Sequence, residues 1–124
     1  MPLLSRVAVI TGAARGIGRA CAEAFLRARA AGVLLADLDI GAAKEAAHAL
    51  DPSGRRAAAF QADVATRAGN DAMVAEAVRR FGRLDVLVNN AGIAGRPGTL
   101  ESLTEDDLDR ILAINVKSIF FGCA

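Results

Sequence analysis

The chain has 124 residues, one domain's worth, with 15 Lys and Arg against 14 Asp and Glu and a net charge of +1. That balance, with no Lys/Arg run forming a patch, excludes an electrostatic case for nucleic acid or for an acidic membrane surface. Hydrophobic residues make up 53% and charged ones 23%, a soluble globular composition whose apolar runs (Val7 to Ile10, Val33 to Ala36) are too short to span a bilayer. Met1 to Arg6 carries no charged region followed by a long apolar core, so no secretory signal is expected. Cys21 and Cys123 have no metal-ligand spacing and read as small buried hydrophobes in a reducing cytoplasm.

Strand-like and helix-like segments alternate along the chain. Arg6 to Thr11 is a β-branched apolar run stopped by Gly12, and Gly16 to Ala31 is an Ala-rich helical stretch. Val33 to Asp37 is a second strand, Ile40 to Leu50 a second helix, and Asp51-Pro52-Ser53-Gly54 a turn. Arg56 to Ala62 is a third strand. Ala68 to Phe81 comes next as a helix with Met73, Ala77 and Phe81 on one face, Val74 and Val78 beside them, and Gly82 as its stop. Leu84 to Asn89 is a fourth strand, and Ala91 to Ser102, rich in Gly and Pro, is a loop. Thr104 opens a last helix with Glu105, Asp106 and Asp107 in its first turn, Asp107 placed as a capping-box acid. That helix stays apolar through Leu108, Ile111, Leu112, Val116, Ile119 and Phe120 to the chain end, as if cut. Strands alternating with helices demand a parallel sheet, and non-alternating apolar strands fit one covered on both faces. The expected fold is α/β, a Rossmann-type doubly wound sheet with flanking helices, incomplete at about four strands and forming a single domain over residues 1–124.

Thr11-Gly12-Ala13-Ala14-Arg15-Gly16-Ile17-Gly18 lies between the first strand and the first helix. Glycines there permit a tight turn and close approach of backbone to a ligand, and the helix N-terminus offers unpaired N–H groups to a pyrophosphate. The spacing is Gly-x-x-x-Gly-x-Gly, and without a following Gly-Lys-Ser/Thr it is not a P-loop. A purely structural turn is the alternative. Asp37 ends the second strand where a carboxylate can bond an adenosine ribose and repel a 2′-phosphate, which favours NAD over NADP. Arg15 pulls the other way, since its guanidinium could meet that phosphate. Asp39 reads as a helix cap rather than a second ribose ligand. His48, beside Lys44 and Glu45, reads as a solvated surface residue, and no metal-ligand set is present.

These residues carry a family resemblance. Thr11 to Gly18 resembles the Thr-Gly-x-x-x-Gly-Ile-Gly cofactor motif of the short-chain dehydrogenases/reductases, and three more matches come in order. Asp63-Val64 resembles the segment placed against adenine, Asn89-Asn90-Ala91-Gly92 the family's Asn-Asn-Ala-Gly motif, and Asn115 its helix asparagine. Bland readings stand beside each: Asp63 a loop acid, Asn89 and Asn90 turn formers, Asn115 a satisfied core amide. The turn Arg29 to Val33 departs from the pattern, since relatives place Gly earlier.

The resemblance implies reversible hydride transfer between NAD and a small alcohol or carbonyl. It implies a cofactor site of Gly12, Arg15, Gly16, Ile17, Gly18, Asp37, Asp63, Val64, Asn90, Ala91 and Gly92, with Asn115 in the catalytic set. The family's acid is a tyrosine in Tyr-x-x-x-Lys, and this chain contains no tyrosine. Lys117 would face away from Asn115 and is no substitute. The expectation is therefore a cofactor-binding half, inactive alone, of a cytoplasmic protein whose full length is homo-oligomeric. A non-catalytic dinucleotide-binding module is the alternative, and another Rossmann-like enzyme such as a methyltransferase ranks below it.

Overall fold

A computed structural model describes residues 4–92 and 98–123. The order is β1 (Val7–Thr11), α1 (Gly16–Arg27), β2 (Gly32–Asp37), α2 (Ile40–Leu50), β3 (Ala57–Gln61), α3 (Arg67–Phe81) and β4 (Val86–Val88). A 3₁₀ turn (Leu100–Ser102), α4 (Glu105–Leu112), a π-helical turn (Ala113–Lys117) and α5 (Ser118–Cys123) complete it. Part of the loop expected over Ala91 to Ser102 lies outside the described residues.

The strands form one parallel sheet ordered β3-β2-β1-β4. Helices cover both faces. On one, Ile10, Val33 and Leu35 pack with Ala22 and Leu26 of α1 and Ala46 and Ala47 of α2. On the other, Val9, Leu34 and Ala58 pack with Met73 and Ala77 of α3. Removing a side chain such as Leu34 from water stabilises the fold by roughly 1.5–3 kcal/mol before any entropy cost, and the alanines let helix backbones sit close to the sheet. Val78, expected beside this apolar face, is instead exposed.

The ends of α1 and β4 depart most from the sequence boundaries, each with a local cause. α1 ends at Arg27 rather than Ala31 because the chain closes a Schellman-type cap: Arg29 N–H donates to Leu26 C=O at 3.1 Å and Ala30 N–H to Phe25 C=O at 3.1 Å. Arg29 occupies the left-handed position at φ 68°, where glycine is usual. β4 is shorter than Leu84 to Asn89 because the residues at both ends have other partners. Asp85 accepts from Val7 N–H at 2.9 Å and from Arg83 at 2.6 and 2.8 Å, clamping the start of β1 to β4. At the other end, Asn90 N–H turns toward Val88 C=O at 3.1 Å.

The last helical stretch is not one helix. α4 has its full capping box, Thr104 accepting from Asp107 N–H and Asp107 from Thr104 N–H, as the sequence pattern predicts. The π turn then separates it from α5. The apolar residues Leu108, Leu112, Val116, Ile119 and Phe120 are all exposed. Cys123 is exposed too, and Cys21 only half-buried against the core, so neither is the fully buried residue expected. Among the described residues no helix is long and apolar enough to cross a membrane.

Candidate functional site

The sheet order reverses between β1 and β4, and the carboxyl ends of these strands open into a cleft of about 310 Å³. It is lined by Gly12 and Arg15 from the β1–α1 loop, Ala36, Asp37 and Leu38 from the end of β2, and Ala62, Asp63 and Val64 after β3. Ala91 and Gly92 after β4 and Arg110 and Ile114 from the last helical stretch close it. Such a crevice, at a topological switch point outside the strand ends, is where open α/β sheets bind ligands.

The glycine loop is built for contact. Gly12 and Gly16 both take φ 63°, the left-handed region. Gly18 is required by proximity: a Cβ there would lie 2.4 Å from Gly12 O and 2.7 Å from Asn90 Nδ2. Loop, helix and Asn90 therefore meet with no space for a side chain. Asn90 seals the junction, its Nδ2 donating to Thr11 C=O and Gly12 C=O at 3.2 Å each. Thr11, 2% exposed, anchors the facing segment: its hydroxyl accepts from Asn90 N–H and Ala91 N–H at 2.9 Å each and donates to Val88 C=O at 3.3 Å.

Helix capping distinguishes α1 from its neighbours. Asp39 caps α2, Thr66 caps α3 and Thr104 caps α4, each side chain accepting a first-turn N–H. Arg15, at the N-cap of α1, supplies no such acceptor, and the first turn holds no acid. The unpaired N–H groups and positive dipole end at Gly16 to Gly18 suit an anion.

Asp37 sits half-buried one residue beyond the β1–β2 pairing. Its Oδ2 accepts from Ala14 N–H at 3.1 Å and its Oδ1 from Asp39 N–H at 3.0 Å; each oxygen keeps a further lone pair for a ligand hydroxyl. Asp39 does more than cap α2. While Oδ1 accepts from Ala42 N–H at 3.1 Å, Oδ2 holds Arg15 Nη2 at 2.9 Å. The Ala42 N–H, and after it the Arg15 guanidinium, hold the Asp39 carboxyl below its ordinary range.

Asp63 is exposed on the cleft wall, its Oδ1 accepting from Ala65 N–H at 3.0 Å, and Val64 is buried beside it. Asn115 lies half-buried in the π turn, its Oδ1 3.2 Å from where a Cβ on Gly92 would stand. Thus Gly12, Arg15, Asp37, Asp63, Val64, Ala91 and Gly92 share the cleft, with Gly18, Asn90 and Asn115 built against it. Gly16 and Ile17 are the exceptions, both exposed and off the cleft lining, Ile17 at 75%. Sequence reasoning passed over Thr11 as an anchor and Arg110 and Ile114 as wall residues. The i, i+4 spacing of the latter pair, ending next to Asn115, was the one signal that could have found them. His48 is exposed as expected, and among the described residues no cluster of His, Cys, Asp or Glu could hold a metal.

A parallel sheet of this order, with a glycine-rich β1–α1 turn and a cleft at the switch point, defines a Rossmann-type architecture. A family model described as short chain dehydrogenase matches residues 6–124, and the chain belongs to that family. It is 42% identical over 121 residues to a sorbitol dehydrogenase of Cereibacter sphaeroides, covering 98% of this chain and 45% of the relative. Among solved structures, a 3-ketoacyl-(acyl-carrier-protein) reductase from Brucella melitensis complexed with NADH superposes with TM-score 0.90 at 36% identity, covering 98% of this chain and 48% of that one. A short chain dehydrogenase/reductase from Burkholderia phymatum in complex with NAD gives TM-score 0.91 at 33% identity, covering 98% and 43%. The chain spans about half the length of the curated relatives it matches.

Proposed function

We propose that this chain is the dinucleotide-holding part of an NAD-dependent oxidoreductase acting on a small alcohol or carbonyl. The observation that carries the reading is the pairing of an uncapped helix N-terminus, whose preceding loop lines the cleft with Gly12 and Arg15, with the carboxylate of Asp37 on the same cleft. The first suits a pyrophosphate and the second a ribose diol. When bound, NAD supplies a hydride acceptor. Gly12 and the backbone N–H groups of Gly16, Ile17 and Gly18, with Arg15 at the rim, hold the pyrophosphate; Asp37 takes the ribose; Asp63 and Val64 border the adenine. Asn90, Ala91 and Gly92 lie along the cofactor, and Asn115, beside Gly92, is the catalytic-set residue of this chain.

The chain alone turns nothing over, because it contains no tyrosine to move the hydroxyl proton. Full-length assembly as a homo-oligomer is supported by the exposed stripe of Leu108, Leu112, Val116, Ile119 and Phe120, which apolar contact would cover. Free Cys21 and Cys123 fit a reducing cytoplasm. Fluorescence titration with NADH and NADPH tests the assignment. Wild type binds NADH preferentially and Asp37→Ala loses the preference; an unchanged preference removes Asp37 from the site, and dehydrogenase turnover by the purified chain overturns the claim of inactivity.

A further inference from the structure

Arg15 is the one cation between Thr11 and Gly18, and it lines the cleft that Asp37 also lines. Its guanidinium is held at 2.9 Å by Asp39, a residue outside the cleft lining. Asp39 is itself fixed from two sides: its N–H donates to Asp37 at 3.0 Å and its other carboxylate oxygen caps α2 at 3.1 Å. It therefore presents Oδ2 to Arg15 from a preset position.

We propose that Asp39 is a positioning residue for cofactor choice: by pairing with Arg15 it withholds the loop's cation from a 2′-phosphate beside Asp37. This rests on the dinucleotide reading above. Asp37 disfavours the phosphate by direct repulsion, whereas Asp39 acts through Arg15, removing the group that would compensate. To meet a 2′-phosphate, Arg15 must first give up a charge-assisted hydrogen bond. The pair is exposed, with side chains 69% and 50% accessible, so its hold is screened and moderate.

The test compares NADH and NADPH affinities by fluorescence titration of the chain in low salt. Asp39→Ser removes the charge but retains a helix cap, and Asp39→Asn serves the same purpose if the first variant folds poorly. The NADPH-to-NADH affinity ratio rises about two- to fivefold in either variant, the scale of an exposed ion pair that no longer has to be broken. Adding Arg15→Ala to Asp39→Ser abolishes the rise, the double variant's ratio matching that of Arg15→Ala alone, which serves as the baseline. An unchanged ratio in the Asp39 variants overturns the proposal, as does a rise that persists without Arg15, which would mean plain repulsion by Asp39. If wild type binds NADH but the ratio does not move, only this inference fails. If wild type binds neither nucleotide, the dinucleotide reading fails with it.

Discussion

Replacing Thr11 by Val isolates a single hydroxyl at the centre of the site. Valine keeps the shape of a side chain only 2% exposed but removes one donor and the acceptor of two backbone N–H groups. Asn90 N–H retains Val88 C=O at 3.1 Å as a second partner; for Ala91 N–H, Thr11 Oγ1 at 2.9 Å is the acceptor that is lost. Leaving a half-buried donor unpaired costs about 1–3 kcal/mol, and the freed Val88 carbonyl adds little because it still accepts from Asn90 N–H. Thr11→Val is therefore destabilised by about 1–3 kcal/mol in urea unfolding, its Ala91 amide exchanges faster, and its NADH affinity falls because the Asn90 to Gly92 segment is no longer pinned. Thr11→Ser is the control: it loses a buried methyl, about 0.8 kcal/mol, but keeps the hydrogen bonds, the Ala91 protection and the affinity. A Thr11→Val protein within about 0.5 kcal/mol of wild type, with Ala91 protection intact, would refute the anchoring argument.

Further outcomes rest on the same geometry. Arg29→Gly relieves a left-handed residue at φ 68° and raises stability by about 0.5–1 kcal/mol after the glycine's own entropy cost; a lower melting temperature for the variant would contradict the cap assignment. Gly18→Ala forces a methyl to within 2.4 Å of Gly12 O and weakens NADH binding at least about tenfold with about 1–3 kcal/mol of lost stability, read by titration and urea unfolding. Arg83, and next Val7 N–H, lower the Asp85 carboxyl below its ordinary 3.8. Its folded value lies below its unfolded one, so Asp85 contributes stability above the ordinary value that disappears as pH falls through the lowered one. As pH falls below the ordinary carboxylate value the urea midpoint of wild type drops more steeply than that of Asp85→Asn; parallel curves would show that the clamp to Val7 and Arg83 is not ionic.

What could be read from the chain was local in origin. The turn at Asp51 to Gly54, the stop at Gly82 and the capping box at Thr104 each depend on residues a few positions apart, and each stands where its pattern places it. The glycine motif and Asp37 were readable because their spacing is set by one β-turn-helix unit. Thr11 looked like the last residue of an apolar strand because its hydroxyl partners lie 77 to 80 positions away. Arg110 carries no comparable signal, because the Gly12, Asp37 and Asp63 segments with which it shares the cleft lie far from it in sequence. The end of α1 was overestimated for another reason: alanines and arginines carry no stop signal, so an arginine took the left-handed position that a glycine would have announced.

The π turn at Ala113–Lys117 makes two demands on one stretch of chain compatible. Each added residue advances a helix by about 100°, so the wider turn changes the phase of the residues after it. Arg110 upstream and Ile114 at the start of the turn reach the cleft; downstream, the new phase buries Ser118 and seats Gly122 against Leu87, Asn89 and Asn70. A regular helix through both ends would satisfy one set and rotate the other away. Deleting Ala113 should thus regularise the hydrogen bonding yet separate the wall of the cleft from the docking of α5, which makes the local irregularity the joint that lets both surfaces exist together.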